Sequence, residues 1–379
     1  MSSNPNQQSS RIEVTDRTSL GRALGRQDIV GFWDLKHEYE AFEPQNPEKP
    51  GLWRYEDFAP LGFAATKIIP IEEADRRNLM FSNPGLPASG LITRRLFGGV
   101  QIIPPGELSP VHRHLGAATR VMLEGRGAYT TVERDKSVLE RGDVVTNPSG
   151  AWHETGNEGS EPVIWFDTLD VPFTKMLGTN FFFNDYAEIE SGQRVAKKYQ
   201  TLKPRTDWSA TAYGVGGVRP AWVSHRVARG SGSPLFLYKY DRTRSLFERM
   251  RDDDGSPHDG LILEYYSPET GSSVLRSLGV HMQMLRPGEH TLEQRSTASR
   301  IFVCLEGAGS TVIGGVQLDW QRNDVFVVPG WAWYSLRNGT ADSVLYCVSD
   351  APALRALGHL VEERKTRAGE IDRTYVEPR

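Results

Sequence analysis

The chain has 379 residues, a formal net charge of −4 and a charged fraction of 24%, with acidic and basic residues interspersed. That length accommodates two domains with extensions, and the charge pattern leaves no footprint for nucleic acid or an anionic membrane surface. No apolar run reaches the roughly 18 residues that span a bilayer, the polar start Met1–Ser10 lacks a signal-peptide core, and only Cys304 and Cys347 could pair, so a soluble cytoplasmic protein with buried reduced thiols is expected.

Residues 1–25, rich in Ser, Asn and Gln, read as disordered or loosely attached. Residues 26–90 read as a helical N-terminal extension. Helical apolar spacing runs over 20–42, a proline-punctuated connector follows at 43–50, and a short helix over 71–79 is stopped by Asn83-Pro-Gly-Leu-Pro87. The pattern then changes. Over 91–175, short β-branched and aromatic runs bounded by Gly, Pro or Asn (99–103, 119–123, 128–132, 143–146, 163–167) point to an all-β barrel or sandwich. Residues 176–270 read as an irregular interdomain segment, partly helical over 235–252. Strands resume over 271–350 (281–285, 301–305, 311–313, 325–328, 343–348). A final helix over 352–365 and a charged tail fill 351–379. The two sets of strands repeat at an offset of 181–182 residues, so the architecture is a tandem duplication.

Two motifs in the first half carry the chemistry. One is Gly106-x5-His112-x-His114-x10-Gly125; the other is Gly142-x5-Pro148-x-Gly150-x2-His153-x3-Asn157. Side chains at i and i+2 of a strand share a face, so His112 and His114 can enter one barrel interior, and His153 joins them from another strand. Three neutral imidazoles suit a divalent first-row metal and leave positions open for substrate and O₂. In the second half Gln294, Ser296 and Tyr334 stand where the histidines were, while Gly288, Gly307, Pro329 and Asn338 persist. The second copy therefore reads as a structural relic. His281 and His290 fall outside the ligand positions and read as structural or surface residues.

These motifs resemble the two signatures of the cupin superfamily, which implies tandem double-stranded β-helix (jelly-roll) barrels, a mainly β fold with helical extensions. The superfamily pattern also places a glutamate ligand after the second histidine; Ala118 and Thr119 stand at the candidate positions here, so a three-histidine site is expected, unlike the manganese oxalate-handling bicupins. A closer resemblance, from about residue 53 to 365, is to the gentisate 1,2-dioxygenase group, with its salicylate and 1-hydroxy-2-naphthoate relatives. It is carried by Arg76-Arg77, Asn83-Pro-Gly-Leu-Pro87, Gly99-Val-Gln101, Pro110-Val-His112-Arg-His114, Arg120, Glu124-Gly-Arg-Gly-Ala-Tyr-Thr130, Trp152-His153 and Asp167-x-Leu-Asp170-x-Pro172.

The resemblance implies Fe(II) in the first barrel only, held by His112, His114 and His153. It implies opening of a hydroxylated aromatic acid by O₂ between the carboxyl-bearing and the adjacent hydroxyl-bearing carbons, in a homotetramer. Gln101 and Arg76 fall at positions that contact substrate or shape the pocket. Phe97, as an aromatic wall or a plain core ring, and Gly99 line the same cavity, and Asp167 fixes a ligand or Arg120. Arg120 lies an even six residues past His114 and needs an anion, either a substrate carboxylate or an acid such as Glu124 or Asp167. Gentisate-type enzymes carry a second histidine two residues after the ligand; this chain has Thr155, which implies a substituted salicylate or a bulkier hydroxyaromatic acid. The competing readings are a zinc or manganese isomerase or hydrolase and a non-catalytic ligand-binding bicupin.

Overall fold

The structure is a computed structural model describing residues 13–184, 186–196, 205–216 and 232–375. Two compact units divide the chain, one ending at Gln45 and the other beginning at Asn46. The smaller unit holds helices Arg17–Gly25 and Phe32–Tyr39. The first lies within the stretch to residue 25 read as disordered or loosely attached, and part of that stretch is helical. Asp16 Oδ1 accepts the Ser19 backbone N–H at 2.7 Å and Ser19 Oγ accepts that of Asp16 at 2.9 Å. This reciprocal capping box satisfies two N-terminal donors and stabilises a helix by about 1 kcal/mol. Phe32, Trp33, Tyr39 and Phe42 of this unit are exposed.

Among the described residues, the larger unit contains four six-stranded sheets and a two-stranded hairpin. In the first barrel one sheet runs Leu237–Tyr238, Val144–Asn147, Ala118–Glu124, Val163–Leu169, Phe97–Ile103, Asn78–Met80; the facing sheet runs Phe182–Phe183, Leu108–His114, His153–Asn157, Ala128–Val132, Asp135–Val138, Arg205–Thr206. The second barrel repeats this order with Gly51–Trp53, Val325–Val328, Arg300–Glu306, Ser343–Ser349, Gly279–Leu285 and Leu261–Tyr265. It is closed by the sheet containing Gln294–Ser296, Tyr334–Asn338 and Val361–Lys365.

Alternation along Val163–Leu169 shows why both faces are apolar. Val163 and Trp165 fill the first barrel, whereas Ile164 and Phe166 join a core shared with Val280, Ile301, Val303 and Tyr346 of the second. The barrels thus pack sheet against sheet, and Thr119 Oγ1 meets Tyr346 Oη at 2.9 Å across the seam. Leu285, Phe302, Trp320 and Leu345 fill the second barrel. Cys304 and Cys347 are buried and free. Among the described residues no helix is long and apolar enough to cross a membrane.

The strands do not respect the boundaries expected at 90, 176 and 270. Gly51–Trp53, which precedes the first barrel, pairs with Val325–Val328 in the second, and Leu237–Tyr238, which precedes the second, pairs with Val144–Asn147 in the first. Both anchors are alike: the Tyr55 N–H donates to Asp324 Oδ1 and the Tyr240 N–H to Asp143 Oδ1, each at 2.8 Å. The second barrel begins with Leu261–Tyr265, inside the expected interdomain segment. The helix expected over 352–365 covers only Ala351–Ala356. Gly358, at φ +72°, ends it, and Val361–Lys365 joins the sheet with the buried Glu363 carboxylate held by Arg295 at 2.6 Å.

Candidate active site

His112 and His114 alternate into the first barrel from Leu108–His114, and His153 opens the strand His153–Asn157 directly opposite His112. The turn before His153 needs Gly150, whose φ of +75° is the left-handed conformation that a side chain disfavours. Its N–H donates to His114 O at 2.8 Å, tying the turn to the neighbouring ligand strand. One candidate ligand nitrogen from each imidazole lies within 4.8 Å of the other two.

Each Nδ1 faces a backbone carbonyl: Pro110 O at 2.8 Å for His112, Gly116 O at 2.6 Å for His114 and Ala151 O at 2.9 Å for His153. A carbonyl only accepts, so Nδ1 carries the proton and Nε2 presents its lone pair, the arrangement that fixes metal-ligating histidines. Burial holds the His112 imidazolium down to about 2, helped by Arg76, and burial takes His114 to about 4; His153 is pushed well down by burial and by its two neighbours. The rings are therefore neutral at physiological pH. Three neutral nitrogen donors with anchored tautomers fit a divalent transition metal. Among the described residues this is the only group of three His, Cys, Asp or Glu side chains placed to hold one.

A cavity of about 370 Å³ opens onto these imidazoles. Arg76, Phe97, Gln101, Arg120, Thr155 and Asp167 line it. Of the acids named as partners for Arg120, Asp167 is the one beside it. Its Nε lies 3.1 Å from Asp167 Oδ1, Nη1 donates to Thr130 Oγ1 at 2.6 Å, and the guanidinium stands 4.8 Å over the Trp165 ring. Glu124 instead accepts from Asn323 at the barrel seam. Asp167 Oδ2 also accepts from Asn78 Nδ2 and Trp165 Nε1, each at 3.1 Å. Burial pushes Arg120 down and Asp167 up, and the attraction between them opposes both shifts. Gln101 Nε2 donates to Ser109 Oγ at 3.2 Å. Arg76 donates to His112 Nε2 and, at 2.6 Å, to Asp75.

Gly99 is the exception, since it does not line the cavity. A Cβ there would fall 2.3 Å from Asn78 Oδ1 and 2.6 Å from Leu79 O. The glycine lets the adjoining strand approach, and Asn78 takes the lining position. Sequence reasoning missed Asn78, and it missed Phe182 and Asn180, which sit in the stretch read as an irregular linker. The run Phe181-Phe182-Phe183 was the available signal.

The second barrel supplies an internal control. Gln294 and Tyr334 face each other as His112 and His153 do, and Gln294 Nε2 donates to Asp259 Oδ1 at 2.7 Å. Phe302 opposite Cys347 replaces Arg120 opposite Asp167. Among the described residues His281 and His290 join no candidate ligand cluster.

Two jelly-roll barrels in tandem, one of them with three convergent imidazoles among the described residues, define a bicupin, and residues 99–171 match the cupin domain family. Over 351 residues the chain is 32% identical to gentisate 1,2 dioxygenase 1 of Aquipseudomonas alcaligenes, covering 92% of this chain and 96% of that one. It is 30% identical to 5-aminosalicylate 1,2-dioxygenase of a Comamonas species, covering 94% and 92%. The crystal structure of salicylate 1,2-dioxygenase from Pseudaminobacter salicylatoxidans superposes with a TM-score of 0.82 at 25% identity, covering 93% of this chain and 99% of that one. The chain belongs to the gentisate 1,2-dioxygenase family and is an aromatic ring-cleaving dioxygenase.

Proposed function

We propose that the protein is an Fe(II) enzyme whose substrate is a substituted salicylate or a bulkier hydroxyaromatic acid in preference to gentisate. The observation that carries this reading is the anchored triad of His112, His114 and His153 opening onto a cavity that also contains Arg120 and Thr155. When bound there, Fe(II) would supply open coordination positions for the substrate oxygens and O₂ and a path for charge from ring to oxygen. The chain's part is positioning. Arg120, held by Asp167 and Thr130, offers its remaining donors to the substrate carboxylate; Gln101 offers amide hydrogen bonding; and Phe97 and Phe182 bound the ring. Arg76, at the histidine face, is a second cation for the anionic substrate.

Thr155 supports the substrate preference. It is 2% exposed, its hydroxyl has no hydrogen-bond partner among the described residues, and it lines the cavity. A hydroxyl there is smaller than the imidazole of the gentisate pattern and cannot carry charge. The exposed Phe32, Trp33 and Phe42 support assembly as a homo-oligomer, proposed as a tetramer. The two free cysteines support a reducing, cytoplasmic setting.

The test is oxygen uptake by Fe(II)-loaded protein with gentisate, salicylate, 5-substituted salicylates and 1-hydroxy-2-naphthoate. Uptake greatest with a substrate other than gentisate, and abolished by His112→Ala, is expected. Greatest uptake with gentisate would overturn the substrate assignment, and full activity with zinc in place of iron would overturn the metal.

A further inference from the structure

The two barrels differ in the strand that edges the ligand-bearing sheet. In the second barrel, Val361–Lys365 pairs with Gln294–Ser296, Glu363 stands opposite Arg295, and Ile371–Tyr375 covers its far side. In the first, the same place is taken by the two-residue strand Phe182–Phe183, with Phe182 opposite His114 and Phe183 opposite Arg113. One further bond, from Leu115 N to Phe181 O at 3.2 Å, extends it.

Arg113 and Arg295 occupy equivalent positions, 182 residues apart. Each stands over the tryptophan of its own ligand turn at 4.8 Å, Arg113 over Trp152 and Arg295 over Trp333. They differ in what else they hold. Arg295 makes an ion pair with Glu363 at 2.6 Å. Arg113 faces the Phe183 ring at 4.9 Å, and its Nε is buried without a hydrogen-bond partner among the described residues. From the edge strand, therefore, Arg113 receives a ring where Arg295, which also stands over Trp331 at 4.2 Å, receives a carboxylate, and that strand is short in the first barrel and long in the second. A half-exposed cation–π contact is weak, so this strand is the more easily lifted of the two.

Its position gives the difference a consequence. The Phe182 ring lies parallel to the His112 imidazole at 5.4 Å and 16°, and to that of His114 at 6.2 Å and 18°, while remaining 49% exposed. Strand alternation puts Arg113 and Phe183 on the opposite face from the imidazoles and Phe182.

We propose that Arg113 is a positioning residue: by clamping Phe183 beside Trp152 it holds the Phe182–Phe183 strand as a lid over the histidine face, and so sets where Phe182 meets the aromatic substrate. This rests on the cavity's being the substrate site, and Arg113 acts on it only through Phe182. The second barrel, which lacks the histidines, keeps the arginine–tryptophan contact but has a locked edge in place of a lid.

Hydrogen exchange of the full chain tests the clamp without substrate. Arg113→Ala should speed exchange at Leu115 and across 179–184 by about threefold, the order expected for losing the one partly exposed cation–π contact that holds this strand. Exchange in Val163–Leu169 and the bound metal content should stay as in the parent. With an active substrate, KM should rise more than kcat falls, and Arg113→Lys, which retains a cation, should recover part of both effects. Phe183→Ala should reproduce the exchange pattern and decides the matter if Arg113→Ala does not fold. Unchanged exchange over 179–184 in both variants, or acceleration spreading equally into Val163–Leu169, would overturn the proposal. If no aromatic acid supports oxygen uptake, the substrate reading fails while the exchange result still judges the lid.

Discussion

Replacing Asp167 by Asn removes the charge that compensates a buried arginine, and the second barrel shows what a compensated replacement looks like. Arg120 and Asp167 are both almost wholly buried and meet at 3.1 Å. Breaking such a pair from one side costs about 3–5 kcal/mol, because the remaining charge is left unpaired. Asp167→Asn belongs inside that range, about 4 kcal/mol: the Thr130 contact at 2.6 Å survives, but an amide has one oxygen for the donors of Arg120, Asn78 and Trp165 and turns its NH2 toward the rest. The double variant Arg120→Phe with Asp167→Cys installs the pair found at Phe302 and Cys347 in the same register. Exchanging a buried ion pair for apolar groups of fitting shape is neutral or stabilising by about 1–4 kcal/mol, so the double variant should be at least as stable as the parent while losing all ring cleavage. Urea unfolding of the metal-free full chain measures this; metal is omitted because a ligand bound to the native state adds its own binding free energy. A double variant as unstable as Asp167→Asn would refute the reasoning, since the pair would then be a net contributor to stability and not a functional feature maintained at its expense.

Other outcomes follow from the same geometry. The metal-free protein should lose stability as pH falls below about 6.5 toward the depressed folded values of about 2 for His112 and about 4 for His114, because the unfolded chain binds protons there that the folded one does not. Replacing His112, His114 and His153 by Gln, Ser and Tyr should flatten that profile in acid titration, and an unchanged slope would show that other groups govern it. Metal analysis should give one equivalent per chain, none after His153→Ala, and no loss after Gln294→Ala; two equivalents in the parent would contradict the single-site reading. Thr155→His should shift kcat/KM toward gentisate relative to 5-substituted salicylates, and unchanged relative rates would separate this position from substrate choice.

The metal site was legible because it depends on local rules. His112 and His114 share a face through strand alternation, and the Pro148-x-Gly150 turn delivers His153, so spacing alone brings the three together. Arg120 was legible as an inward cation, but whether its partner would be Glu124 or Asp167 was not. Glu124 is the near one in sequence, and only the pairing of Ala118–Glu124 with Val163–Leu169 places the distant Asp167 directly opposite Arg120. The Phe182–Phe183 strand was hidden for another reason. Two residues have no periodicity to read, and the strand exists through its neighbour's free edge and not through its own pattern. The C-terminal strand Val361–Lys365 was hidden by its charges, which resemble a helical surface until Glu363 is seen buried against Arg295.

The exchanged strands explain why a barrel without metal ligands is retained in one chain with the barrel that has them. Leu52-Trp53-Arg54-Tyr55 recurs as Leu237-Tyr238-Lys239-Tyr240, and each copy crosses to complete the other barrel. The first barrel alone would lose the strand that covers Val144–Asn147 and would expose Ile164, Phe166 and Val121, which are buried against the second. Each large apolar side chain stripped of that cover costs about 1.5–3 kcal/mol, and three of them approach the whole stability of an ordinary domain, about 5–15 kcal/mol. A fragment ending at residue 216 should therefore fail to fold or should aggregate, and adding back residues 217–379 in trans should restore soluble, metal-binding protein. A fragment that folded cooperatively by itself, with its metal site intact, would mean that the second barrel does not hold up the first. The relic site in the second barrel would then need a chemical explanation in place of this mechanical one.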